Sequence, residues 1–194
     1  MIIVLGITGR IGSGKSTVSG FIKKIKKNVL ILDIDKLAKS IYSKNPEVLD
    51  KLKVIFGKKI FCADGKLIFD SLAERVFSSK KDLEKLNCLM FPLIRNKVEN
   101  ILNKNQDKDY IIIDAAVLFD CKLNLFCDYI ILVEASVKKR ETFLKNKGFS
   151  NDRIKLRMKG QHIKIQKGKV VFVIDNDGSK RDLLEKVEKI IKKI

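Results

Sequence analysis

The chain has 194 residues, 45% of them hydrophobic and 33% charged, which suits one globular domain with room for an inserted subdomain and excludes a disordered polyelectrolyte. No apolar run approaches the roughly 20 residues that a bilayer span needs, so no membrane association is expected. The net charge of +18 raises nucleic-acid binding. However, the 41 basic residues are 34 Lys and only 7 Arg, without a long basic block or an aromatic-rich basic segment, which favours a solvated lysine-rich surface that attracts small polyanions.

In chain order, residues 2–7 ("IIVLGI") read as a buried strand, too short and too poor in flanking bases for a signal peptide. A glycine loop follows, and residues 15–27 read as a helix opening from it. Residues 29–33 ("VLILD") form a second strand, with Asp33 and Asp35 at its end. Residues 36–43 and 46–56 are helical, the latter opening on Pro46 and stopped by Gly57. "ADGK" at 63–66 is a turn, and 70–78 and 80–104 are helices, the second kinked or broken at Pro92.

Three further strands are expected at 110–114 ("YIIID"), 129–133 ("YIILV") and 170–175 ("VVFVID"). Helices at 136–147, 151–166 and 179–194 separate and close them. Five strands joined by helical crossovers predict an α/β fold, a five-stranded, mostly parallel sheet covered by helices on both faces. The long helical interval at 36–109 is where a substrate-binding subdomain belongs. Cys62, Cys88, Cys121 and Cys127 include no CxxC pair, and His162 is the sole histidine. Reduced thiols in a cytoplasmic protein are therefore expected rather than a zinc quartet or a disulfide framework.

The chemistry concentrates at Gly9-x-x-x-x-Gly14-Lys15-Ser16, a complete P-loop pattern between a strand and a helix. Glycines let successive N–H groups turn inward at a helix N-terminus, where they bind an anion. Arg10, Ile11, Gly12, Ser13, Gly14, Lys15, Ser16 and Thr17 are the expected nucleotide cradle. Lys15 reaches the β- and γ-phosphates, and the Ser16 hydroxyl ligates Mg²⁺. Asp33 and Asp35 lie beyond a strand's carboxyl end, where a carboxylate accepts a proton from an attacking hydroxyl or simply caps the following helix. Asp114, closing an apolar strand, has the form of a Walker B acid and is the second candidate for Mg²⁺. Residues 136–166 carry Lys138, Lys139, Arg140, Lys145, Lys147, Arg153 and Arg157, which suits either a lid over transferred phosphate or a solvated helix pair.

"GITGRIGSGKSTVSGF" followed by "ILDIDKLAKSIY" resembles the dephospho-CoA kinase family. "FGKKIFCADGKL", "LNCLMFPLIR", "YIIIDAAVLFD", Arg157 followed four residues later by Gln161, and "VIDNDGS" resemble it in the same order over nearly the whole chain. The resemblance implies the P-loop kinase fold and a core at 1–35, 108–135 and 168–194. It implies a helical CoA-binding subdomain at 36–107 and a lid at 136–167. It also implies ATP- and Mg²⁺-dependent transfer to the ribose 3′-hydroxyl of dephospho-CoA in a cytoplasmic monomer or weak oligomer.

Among the residues, the resemblance implies Asp35, Lys15 and Arg157 in catalysis and Asp33, Asp35 and Arg95 at the substrate. The chain departs from the family at Phe69, Phe143 and Lys147, where the resemblance leads one to expect arginine, at Phe91, where it leads one to expect histidine, and at Ala116 to Asp120. Arg95, Lys66 and Lys147 are the candidates to replace the missing charges. Two rival readings stay open on the residues alone: a P-loop kinase of nucleosides or nucleotides, and a nucleotide-binding relative without turnover.

Overall fold

The structure is a computed structural model that describes residues 2–159 and 171–194. Five parallel strands make one sheet: β1 (Ile3–Thr8), β2 (Val29–Asp33), β3 (Tyr110–Asp114), β4 (Tyr129–Glu134) and β5 (Val171–Asp175), in the order β2-β3-β1-β4-β5. The register sets Ile7 beside Asp114 and Asp33 beside Asp114, so the carboxyl ends of β1, β2 and β3 finish level. That common edge is where an open α/β sheet binds ligands.

Side chains alternate across the sheet, as a pleated strand requires. Val4, Ile111, Ile113 and Ile130 enter one buried cluster. Leu5, Ile7, Ile112, Ile131 and Val133 enter the other. The second cluster is closed by α1 (Lys15–Ile25), through Val18 and Ile22, and by α8 (Lys180–Ile191), through Leu183 and Val187. The first is closed by the helices of the long interval: α2 (Ile34–Lys44), α3 (Pro46–Phe56), α4 (Phe69–Ser78) and α5 (Lys80–Lys104). Each such side chain contributes roughly 1.5–3 kcal/mol on burial, which is how the interval stays fastened to the sheet. Two more helices, α6 (Val137–Asn146) and α7 (Asn151–Lys159), follow β4. The rest of the expected 151–166 helix, with Gln161 and His162, lies outside the described residues.

Two expectations are corrected. The helix after β2 starts at Ile34, not Lys36. The Asp33 side chain accepts the Lys36 amide at 3.0 Å and so caps from one position earlier, leaving Asp35 inside the first helical turn rather than on the strand. Pro92 does not interrupt α5, which runs unbroken for 25 residues. Met90, Ile94, Val98 and Leu102 form one buried stripe at a spacing of four, and packing of that stripe on both sides of the proline outweighs the single missing hydrogen bond.

Candidate active site

The loop from Gly9 to Gly14 leaves β1 and enters α1 directly. Its alternate carbonyls are tied down. Lys15 Nζ donates to Gly9 O at 3.0 Å, Arg140 Nε to Ile11 O at 2.9 Å, and Asn176 Nδ2 to Ser13 O at 2.8 Å. With the carbonyls held this way, the intervening amides can face an anion at the N-terminus of α1. Gly14, the N-cap, has φ 99° and would drive a Cβ into Asn176, so both its conformation and its neighbour require glycine. The two braces come from opposite sides. Arg140, only 3% exposed, is on α6, and Asn176 follows β5.

Beside this loop opens a cavity of about 310 Å³. The P-loop contributes Ile11, Gly12, Gly14, Lys15 and Ser16, and the turn from β2 into α2 contributes Asp33, Asp35, Lys36 and Lys39. Asp114 and Ala116 close it from the end of β3, and Phe143, Leu144, Lys147, Phe149 and Arg157 roof it from α6, α7 and the turn between them. A larger open groove of about 540 Å³ shares Ser16, Asp33, Lys36 and Asp114 with it and continues between α1 and α2 past Leu37 and Ser40.

Burial dominates the two central charges. It pushes the Asp114 carboxyl above the ordinary carboxylate value, against the pull of Lys15 and hydrogen bonds from Ser16 and Ser19. It lowers the Lys15 ammonium, against the opposing charges of Asp114 and Asp35. Ser19 Oγ lies 3.2 Å from Asp114 Oδ2 and fixes the carboxylate's orientation. The Ser16 hydroxyl and the Asp114 carboxylate are adjacent oxygen donors on the cavity wall. That all-oxygen set fits Mg²⁺, which takes one or two protein ligands and completes its shell with phosphate and water.

The cavity thus gathers Lys15, Ser16, Asp33, Asp35, Asp114 and Arg157. Arg10 and Ser13 belong to the loop and Thr17 to the first turn of α1, none of them lining the cavity, and the Ser13 side chain is fully buried. Arg95 is elsewhere. It sits on α5, close enough to Cys121 for its charge to act on that thiol, and its buried Nε makes no hydrogen bond among the described residues. Of the three candidates for replacing charge, only Lys147 reaches the cavity. Lys66 is paired with Asp64 at 2.8 Å in the 63–66 turn.

Sequence reasoning did not pick out Lys36, Lys39, Phe149, Asn176 or the role of Arg140. The last two braces join residues 163 and 129 positions apart, a separation that no local pattern encodes.

The family model for dephospho-CoA kinase, CoaE, matches residues 3–182. A dephospho-CoA kinase of Fusobacterium nucleatum is 35% identical over 199 aligned positions that cover 100% of this chain and 99% of that relative. One of Borreliella burgdorferi is 37% identical over 85% of this chain and 77% of its own length. A solved structure of a Thermus thermophilus protein superposes with a TM-score of 0.74 at 26% identity, covering 100% of this chain and 98% of the other.

Proposed function

This chain belongs to the dephospho-CoA kinase family, and on that premise we propose that it transfers the γ-phosphoryl group of ATP to the ribose 3′-hydroxyl of dephospho-CoA, giving coenzyme A. The observation that carries the residue assignments is the single cavity that joins the P-loop to Asp35, Asp114 and Arg157. The 3′-oxygen attacks the γ-phosphorus as the bond to the β-phosphate oxygen breaks. The hydroxyl proton passes to the Asp35 carboxylate, and ADP leaves.

Asp35 suits this task because it is exposed into the cavity from the first turn of α2, whereas Asp33 is committed to the cap. Lys15 follows the moving phosphoryl group, and the low-dielectric pocket around it strengthens the attraction between its ammonium and phosphate. Arg157 approaches from the opposite wall and meets the phosphate oxygens with a planar fork of donors. Ser16 and Asp114 would hold Mg²⁺, which when bound neutralises the developing charge on the β- and γ-oxygens. The helices between residues 36 and 107 form the acceptor-binding subdomain, and α6 and α7 are the described part of the lid expected at 136–167. No described helix is long and apolar enough to cross a membrane, and the proposed reaction is a cytoplasmic one.

A coupled assay of ADP release tests this, with dephospho-CoA set against a panel of nucleosides and nucleoside monophosphates. Turnover confined to dephospho-CoA, and dependent on Mg²⁺, is the expected result. Transfer to a nucleoside but not to dephospho-CoA would overturn the acceptor. ATP binding with no transfer to any acceptor would overturn catalysis.

A further inference from the structure

Arg157 occupies an unusual seat. Its guanidinium carbon lies 4.8 Å from the centre of the Phe149 ring and 5.8 Å from that of Phe77. Phe149 is in the turn between α6 and α7 and lines the catalytic cavity. Phe77 is on α4, in the helical interval between β2 and β3, and faces α7 across a narrow seam. Arg157 lines both the seam and the cavity. One turn earlier on α7, Arg153 pins the same face to α4, with Nη1 at 3.1 Å from Asp70 and Nη2 at 3.8 Å from Glu74.

A long arginine side chain otherwise samples many rotamers, and holding it costs conformational entropy that a catalytic contact must overcome. Two ring faces attract the guanidinium electrostatically, and the more strongly as they exclude water from it. They do so without occupying its five N–H donors, which project from the edge of the plane. An ion pair would position Arg157 too, but it would consume the donors that phosphate needs. On α7 that pairing is left to Arg153.

We propose that Phe77 and Phe149 are positioning residues that clamp Arg157 at the cavity wall with its donors available to the transferred phosphoryl group. One ring comes from the acceptor-side helices and the other from the lid, so Arg157 is in place only when α7 is seated on α4. The proposal rests on the reading of Arg157 as a phosphate contact, and the test separates the two.

The kinetics of Phe77→Leu, Phe77→Tyr, Arg157→Lys and the double variant Phe77→Leu/Arg157→Lys are compared, with ATP and dephospho-CoA each varied. Leu keeps apolar volume but removes the ring face. Its kcat is expected to fall roughly 3- to 30-fold, the range of a cation–π contact, with KM for ATP changed less than about twofold and Tyr restoring kcat. In the Arg157→Lys background the same Leu substitution is expected to add almost nothing, because its effect runs through Arg157.

An equal fold-loss in both backgrounds, or failure of Tyr to rescue, overturns the clamp and leaves Arg157 standing. Arg157→Lys with wild-type kcat/KM overturns the phosphate contact and the clamp with it. Phe149→Leu, at a turn rather than in a helix, gives the same comparison should Phe77→Leu fail to fold.

Discussion

Gly12→Ala tests whether the P-loop works as a rigid cradle braced by α6. Gly12 has φ 78°, and a Cβ there would lie 2.8 Å from the backbone oxygen of Arg140 and 3.2 Å from its Cα. The left-handed conformation alone costs an L-residue about 1–2 kcal/mol. Arg140 is buried and bonded to Ile11 O at 2.9 Å, so the contact is relieved only by moving backbone. If that movement breaks the charged hydrogen bond, about 1.5–3 kcal/mol more is lost. The expected total runs from about 1 kcal/mol, if α6 shifts with that bond intact, to about 5 kcal/mol, if the shift breaks it. At 1.4 kcal/mol per tenfold, kcat/KM for ATP should fall at least about fivefold, and Tm should drop by roughly 2–4 °C per kcal/mol for a domain of this size.

Gly20→Ala is the matched control. It lies within α1 with nothing within 4 Å of an added Cβ. Removing a helical glycine there should stabilise by about 0.5–1 kcal/mol and leave kinetics unchanged. Thermal unfolding and steady-state kinetics of the two variants provide the comparison. A Gly12→Ala protein that matches Gly20→Ala in both would refute the argument that α6 and the loop hold each other.

Lys15→Ala should lower kcat by on the order of 10²–10³-fold while calorimetry still detects ATP, because the backbone amides remain. Near-normal turnover would remove Lys15 from the mechanism. Asp35→Asn should abolish most of kcat and leave the fold intact. Asp33→Asn should remain active, since asparagine caps a helix as well as aspartate, and the reverse pattern would exchange their roles. Initial rates against dephospho-CoA should show KM rising several-fold between roughly 0.05 and 0.3 M salt, where the screening length shortens markedly, because Lys36, Lys39 and Lys147 on the cavity wall are exposed. A KM independent of salt would show that these lysines do not bind the acceptor.

The parts of the site legible in the sequence are those whose chemistry acts locally. An anion nest must be built from consecutive residues, so Gly9 to Ser16 declares itself by spacing alone. Residues 29–33 and 110–114 fall where the apolar runs end in aspartate, and the structure gives β2 and β3 those bounds. Competing local signals blurred other boundaries. Asp33 ends a strand and caps a helix at once, so the helix begins at Ile34, two residues before the expected start at Lys36. Pro92 signals a break that five turns of buried apolar contacts overrule. The braces from Arg140 and Asn176, and the seating of Arg157 between Phe77 and Phe149, depend on elements brought together only by the completed sheet.

The phenylalanines at positions where the family resemblance leads one to expect charge are not a filled pocket. Lys147 Nζ stands 4.7 Å from the centre of the Phe143 ring, and Lys39 Nζ 5.7 Å from that of Phe69. At two of the three phenylalanines, then, the ring carries a cation on its face, and both lysines line the cavity. An ammonium held this way offers a point charge with three donors, without the planar fork that reads two phosphate oxygens together. Such lysines raise the local concentration of polyanions and tolerate variation in how phosphate lies. The demand for a fixed geometry falls on the one guanidinium among the residues lining the cavity. A site with point charges at Lys36, Lys39 and Lys147 and a single fork needs that fork held firmly, and in the proposed clamp the two rings around Arg157 supply the hold.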